Sequence, residues 1–192
     1  MSVTATQIRA ATAEMQRALG AGADADWGVR AGDVDWTCRE TGAHIADDLF
    51  SYASQVIAQP ARGYLPIEAS VEARATPSEL LESIVMCGDL LGLAVSSASP
   101  DARSYHPCGT SDPEGFAAMG VVEVLVHAHD IARGLDLAWS PPDDLCRRVL
   151  DRLFPDAPTG PPAAVLLWCT GRAPLGSLPR RTSWRWDSSV PR

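Results

Sequence analysis

Hydrophobic residues recur along most of the chain at intervals of three and four, which is the spacing of amphipathic helices. Stretches rich in Gly, Pro and Asp separate these segments, and no segment alternates residue by residue as a strand would. The pattern predicts helices over residues 4–20, 38–59, 77–98, 113–134, 142–154 and 162–170. Four long helices joined by loops indicate an all-α four-helix bundle with extra short C-terminal helices, and bundles bind metals between facing helices.

The predicted helix starts carry capping signals. Thr-x-x-Glu boxes precede two helices, and proline-containing signals mark two more starts. These signals are Thr37 with Glu40, Thr76 with Glu79, Asp112–Glu114 and Ser140–Asp143. The length of 192 residues fits one domain over 1–192, with a core of about 4–155 and a C-terminal extension of about 156–192. After Gly171 we expect an irregular tail that either packs over the bundle or is partly disordered.

The helix predicted over 113–134 carries the most informative polar residues. Glu123 and His127 lie about 40° apart on its surface, and Asp130 lies about 20° from Glu123 on the other side. The rest of this helix is largely apolar, so the carboxylate would be costly to bury without a metal or a charged partner. We therefore predict that Glu123 and His127 bind one divalent metal, although the same spacing also occurs in ordinary intrahelical pairs.

A third ligand is expected from another helix, and His44 is the best candidate. It lies about two turns into the helix that begins after Thr37, and its face also carries Glu40 and Asp48. That polar face can line a water-filled pocket around an open metal position. The alternatives are that His44 is a satisfied core residue and that the polar face is simply solvated.

Other polar residues have supporting roles in this hypothesis. Asp130 and Asp48 are candidate catalytic groups that hold a proton or orient a ligand. Arg39 and Arg133 are candidates for binding a carboxylate of a substrate or cofactor, with a solvated surface arginine as the alternative.

The two remaining histidines are excluded from the predicted metal site. His129 lies about 200° around the helix from His127, so the two cannot share an ion. His106, beside Pro107, is expected to be exposed.

Composition narrows the function classes. All 16 basic residues are arginine, which excludes Schiff-base, P-loop and pyridoxal-phosphate lysines. A net charge of −8 without a basic run argues against a nucleic-acid partner. Neither a signal peptide nor an unbroken apolar run of about 18 residues is seen, so no membrane partner is expected. Five scattered cysteines without a CxxC pair indicate reduced thiols and a cytoplasmic protein.

Two segments, Trp36–Ala46 and Glu123–Gly134, resemble the metal-binding motifs of the DinB-like superfamily, in particular the N-terminal domain of mycothiol-dependent maleylpyruvate isomerases. The resemblance covers roughly residues 5 to 138, and the tail resembles the ends of actinobacterial members. It implies an up-down-down-up bundle and a divalent metal, usually Zn²⁺ with Ni²⁺ or Mn²⁺ as alternatives, held by His44, Glu123 and His127. It also implies a thiol cofactor such as mycothiol.

This resemblance predicts a metal-dependent enzyme that uses a low-molecular-weight thiol for S-transfer to, or isomerisation of, a small electrophilic substrate. Two alternatives stay open: a metal-dependent hydrolase or lyase that uses no thiol, and a non-enzymatic binding protein stabilised by metal. A fourth protein ligand, for which Asp48 is the candidate, would favour the last. The isomerases carry a further C-terminal domain, for which the segment after Leu137 is expected to be too short. Such bundles also form homodimers through helix faces.

Overall fold

The computed structural model describes residues 2–191 as six helices joined by irregular segments. The helices are α1 (Ala5–Gly20), α2 (Cys38–Ala58), α3 (Pro77–Ser97), α4 (Pro113–Gly134), α5 (Asp143–Leu153) and α6 (Pro162–Cys169). Each predicted helix is present, with bounds that differ by at most one residue from the prediction. Between residues 2 and 191, extended pairing is limited to isolated bridges, and the predicted all-α class is confirmed.

The first four helices form the bundle. α1 packs on α3 and α4, and α2 also packs on α3 and α4, so α1 and α2 lie on opposite corners. α1 runs parallel to α4, α2 runs parallel to α3, and the two pairs are antiparallel, which is the predicted up-down-down-up arrangement. The contacts that fix these directions are Val3 with Glu114, Gly42 with Leu80 and His44 with His127.

Side-chain caps fix most of the helix starts. Capping boxes are formed at the starts of α2 and α3, and the Asp112 side chain accepts a hydrogen bond from the Gly115 amide at the start of α4. The predicted cap of α5 is wrong. Pro142 occupies the N-cap position there, and its ring has no atom that can accept a hydrogen bond from the helix.

α4 is the central helix of the molecule. By length and apolar composition alone, α3 and α4 are long enough to cross a membrane. Packing in the bundle accounts for this composition. Of the apolar 18-residue stretch in each helix, 94% is buried in α4 and 44% is buried in α3. An apolar core helix passes the same test as a membrane span, so the composition is weak evidence of a membrane segment.

The chain after α4 wraps the outside of the bundle. α5 packs on α4, and α6 packs on α5. The irregular segment that follows returns to the bundle, where Trp186 and Ser188 are buried. Of the two predicted alternatives for the tail, its described part, residues 171–191, corresponds to the packed one.

The end of α4 is tightly packed against the loop that precedes α2, and this packing can be tested. A Cβ atom at Gly134 would collide with the Arg30 carbonyl oxygen and lie 2.7 Å from the Cys38 sulfur. We expect Gly134→Ala to lower the free energy of unfolding by about 1–3 kcal/mol in chemical denaturation, because backbone atoms must move. Gly20→Ala is the control, since nothing lies within 4 Å of a Cβ there. Equal effects of the two substitutions would contradict this packing.

Candidate metal centre

α2 and α4 bring His44, Glu123 and His127 together. One ligand atom from each residue lies within 4.8 Å of the other two. The Glu123 Oε2 atom is 3.3 Å from His127 Nε2 and 3.9 Å from His44 Nε2. The two imidazole rings are 5.0 Å apart and nearly perpendicular. Both histidines therefore present Nε2 to one carboxylate oxygen at the centre of the group.

This geometry fits a divalent metal. Ligand atoms bonded at about 2.0–2.1 Å to a tetrahedral ion are separated by about 3.3 Å. The Nε2–Oε2 separations of 3.3 and 3.9 Å lie close to that value, so only small side-chain movements are needed to bind an ion. Two imidazoles and one carboxylate form a donor set suited to zinc and neighbouring transition metals, and three ligands leave a coordination position open.

Two further groups orient the ligands. Asp130 Oδ2 lies 3.1 Å from His127 Nδ1, so a proton on Nδ1 is held there and Nε2 is the ring nitrogen that faces the cluster. Tyr52 donates a 3.4 Å hydrogen bond from its hydroxyl to Glu123 Oε1, which leaves Oε2 for the two histidines. The predicted supporting role of Asp130 thus has a direct geometric counterpart.

Asp130 is itself held by Arg172. The Arg172 Nη2 atom donates to Asp130 Oδ2 at 2.8 Å, and Nε lies 3.3 Å from both carboxylate oxygens. The side chains of Asp130 and Arg172 are 2% and 10% exposed, so this is a buried ion pair. Arg172 lies in the tail and has no helical spacing to α4, so the sequence pattern gave no signal for its role.

The cluster is open to solvent on one edge. His44 and Asp48 side chains are 31% and 22% exposed, whereas His127 is 9% exposed. Trp36 stands over this edge, with its ring centroid 4.6 Å from that of His44. A small molecule can therefore approach from the side of α2, where Trp36 provides an apolar wall.

Asp48 lies at the border of the cluster. Its Oδ2 atom is 3.1 Å from His44 Nε2. Among residues 2–191, it is nevertheless not in the group whose ligand atoms all lie within 4.8 Å of one another. Burial, with the nearby Glu123 charge adding to it, raises the pKa of the Asp48 carboxyl. Asp48 thus holds a proton at neutral pH beside the open edge.

The charge state of the ligands follows from their neighbours. Burial opposes the charged forms of both Glu123 and His127, but each compensates the other. The hydrogen bond from His127 keeps the pKa of Glu123 below its usual range. Hydrogen bonds to Asp130 and Glu123 outweigh burial and raise the pKa of His127 to about 9. Burial lowers the pKa of His44, so that imidazole is neutral and ready to bind an ion.

The two arginines predicted to bind a cofactor lie away from the cluster. Arg39 donates from Nη1 to the Ala75 carbonyl at 2.7 Å, at the junction of α2 and α3. Arg133 pairs with the exposed Asp33 at 2.9 Å. Arg172 is the arginine that contacts a residue of the metal centre.

The other histidines take different positions. His129 is absent from the cluster, as expected. The expectation that His106 is exposed is wrong, since only 7% of it is accessible. Ser188 covers it from the tail, with its hydroxyl 3.2 Å from His106 Nδ1, and Phe116 and Trp186 pack nearby. A loop residue beside a proline was predicted to face solvent because the sequence does not reveal that the tail covers it.

One comparison with known proteins gives a match. The family model described as the mycothiol maleylpyruvate isomerase N-terminal domain matches residues 8–132, which include all three members of the cluster. The comparisons with curated proteins and with solved structures gave no match. Arg172 and the rest of the tail lie beyond the matched residues.

The affinity for metal should depend on pH through His127. With its pKa at about 9, this imidazole is protonated at neutral pH in the metal-free protein, and a metal must displace the proton. We expect zinc affinity, measured with a chromophoric chelator, to fall about tenfold per pH unit below pH 9. Asp130→Asn should weaken this dependence because it removes one acceptor. An affinity that is flat between pH 6 and 8 would contradict the protonated state.

Removal of Arg172 should destabilise the protein strongly. Arg172→Ala leaves the buried Asp130 carboxylate without its guanidinium partner, and we expect the free energy of unfolding to fall by about 3–5 kcal/mol. Arg17→Ala is the matched control, because it breaks an exposed pair with Glu14 on α1 and should change stability little. Urea denaturation of both variants distinguishes the two cases. Similar small losses in both would show that Arg172 does not support the site.

Proposed function

This chain belongs to the mycothiol maleylpyruvate isomerase N-terminal domain family, and we propose that it is a metal-dependent enzyme that uses a low-molecular-weight thiol of the mycothiol type. Its reaction would be S-transfer to, or isomerisation of, a small electrophilic substrate. The observation that carries the proposal is the convergence of His44, Glu123 and His127 at an edge that solvent reaches.

The thiol would have to come from outside the chain. All five cysteines are free, and none belongs to the ligand group found among residues 2–191. Burial raises the pKa of Cys38 to about 11 and that of Cys146 to about 12, so these thiols stay protonated at neutral pH. A bound divalent ion would supply a Lewis acid that lowers the pKa of a thiol or a water molecule at its open position.

The protein groups have separate roles in this proposal. His44, Glu123 and His127 hold the ion, and Asp130 fixes the orientation of His127 through Nδ1. Asp48 lies beside the open edge, where burial favours its protonated form in the metal-free protein, and it would pass a proton to or from a reacting group. Trp36 forms the wall against which an apolar part of the substrate can pack.

The proposal also covers the compartment and the partners of the protein. We expect a cytoplasmic protein, because the five cysteines are free and reduced thiols are typical of that compartment. Its partners would be a small-molecule substrate and a thiol, with no nucleic acid or membrane involved. The proposal includes a homodimer formed through a helix face.

One observation favours a second candidate function. The Asp48 Oδ2 atom lies 3.1 Å from His44 Nε2, so loss of the Asp48 proton and a rotation of the side chain can bring this oxygen to the ion as a fourth ligand. Four protein ligands would close the site and make the metal structural. A water-activating hydrolase or lyase without a thiol shares the open site and differs only in the nucleophile.

The proposal is tested first by metal content. We expect about one zinc, nickel or manganese ion per purified chain by elemental mass spectrometry, and loss of most of it in His44→Ala, Glu123→Ala and His127→Ala. His129→Ala is the matched control on α4 and should retain the metal, because His129 is outside the cluster. A wild-type protein that binds none of these metals would overturn the proposal.

The thiol is tested separately on protein loaded with cobalt(II). Addition of mycothiol should produce a sulfur-to-cobalt charge-transfer band in the near ultraviolet, and Asp48→Asn should preserve it. If mycothiol gives no band while the metal is bound, the thiol-dependent function is wrong and water-activating chemistry or a structural ion takes its place. A metal site that becomes reactive to thiols only in Asp48→Ala would identify Asp48 as the fourth ligand.

A further inference from the structure

A concave site lies on the other side of Asp130 from the metal ligands. The loop before α2, the C-terminal end of α4 and residues 170–184 enclose a cleft of about 450 Å³. We call it the arginine cleft, because four arginines and two aspartates line it: Arg133, Arg172, Arg180, Arg181, Asp33 and Asp130. Its volume lies in the range of pockets that bind small molecules.

The charge of the cleft is opposite to that of the protein. Four arginines against two aspartates give it a formal charge of +2, whereas the whole chain carries −8. Collecting cations in one concavity is electrostatically unfavourable, because the low-dielectric walls focus their field. Such an arrangement is expected where the cleft attracts an anion.

Two of the arginines are fixed in place and keep free donors. Arg133 and Arg180 both bind the Asp33 carboxylate, at 2.9 and 2.6 Å. A guanidinium has five N–H donors, and one carboxylate shared by two arginines leaves most of them unused. Asp33 therefore orients the two side chains without neutralising both.

Arg181 has no acidic partner among residues 2–191. Its guanidinium carbon lies over the Trp168 ring, 5.1 Å from the ring centroid, which is a cation–π contact. This contact uses no N–H group, so the guanidinium keeps the N–H donors that bind carboxylate or phosphate oxygens in pairs. Trp184 lines the same cleft and adds an apolar surface beside the cations.

We propose that the arginine cleft binds a small oxyanion, a carboxylate or phosphate group on a low-molecular-weight ligand, with Arg181 as its principal free donor and Arg133 and Arg180 as supporting donors. The proposal depends on the cleft alone and not on the metal. Asp130 nevertheless borders both sites, because it lines the cleft and contacts His127. Arg133, which the sequence analysis named as a candidate for binding a carboxylate, lines this cleft.

The proposal is tested by calorimetric titration of the full-length protein with inorganic phosphate and, separately, with succinate. We expect saturable binding of at least one of them, and about tenfold weaker binding in Arg181→Ala, since a charge-assisted hydrogen bond is lost. Phosphate and succinate identify the oxyanion, because the preferred class binds more tightly. Arg147→Ala is the matched control, as it removes the same charge from an exposed position on α5 and should bind like wild type.

Either of two results would overturn the proposal. One is the absence of saturable binding for both anions, and the other is equal weakening by Arg181→Ala and Arg147→Ala, which would indicate a general charge effect. The titration is repeated on protein stripped of metal with a chelator. Anion binding that persists in the metal-free protein supports the cleft as the site, even if the protein has no metal-dependent function. Anion binding that is lost with the metal would show that the anion binds the ion, which would overturn the proposal.

Discussion

Compensation of charge inside α4 is the constraint on which the rest of the site depends. Glu123, His127 and Asp130 lie in the most buried helix of the bundle, where an unpaired ionised group would cost several kcal/mol. A row of three contacts compensates these charges: Glu123 with His127, His127 with Asp130, and Asp130 with Arg172. The tail beyond the bundle is therefore tied electrostatically to the centre of the fold.

The two ends of this row of contacts have different surroundings. At one end, Glu123 and His127 face His44 and an edge open to solvent, where an ion can bind and a small molecule can approach. At the other end, Arg172 and Asp130 line a cleft of opposite charge to the protein as a whole. Asp130 contacts His127 of the cluster and Arg172 of the cleft, so its ionisation and orientation influence both.

Much of the fold was predictable because its signals are local. Capping boxes at Thr37 and Thr76 mark the starts of α2 and α3, and the hydrophobic period gave the helix bounds to within one residue. The start of α5 shows where this reasoning fails. Its proline-rich signal has the composition of a cap, yet proline at the N-cap position has no acceptor to offer.

The sequence by itself determined the six helices and, from their number and length, the bundle class. It also determined the pairing of Glu123 with His127, because that pairing depends on spacing within one helix. It also named His44, through its position on the helix after Thr37 and through the resemblance of two segments to a known family. Only the tertiary structure decided that Arg172 pairs with Asp130 beside the cluster, and that His106 is buried. Both depend on where the irregular tail packs. That packing is set by contacts between residues far apart in the chain, and no local period or cap encodes it.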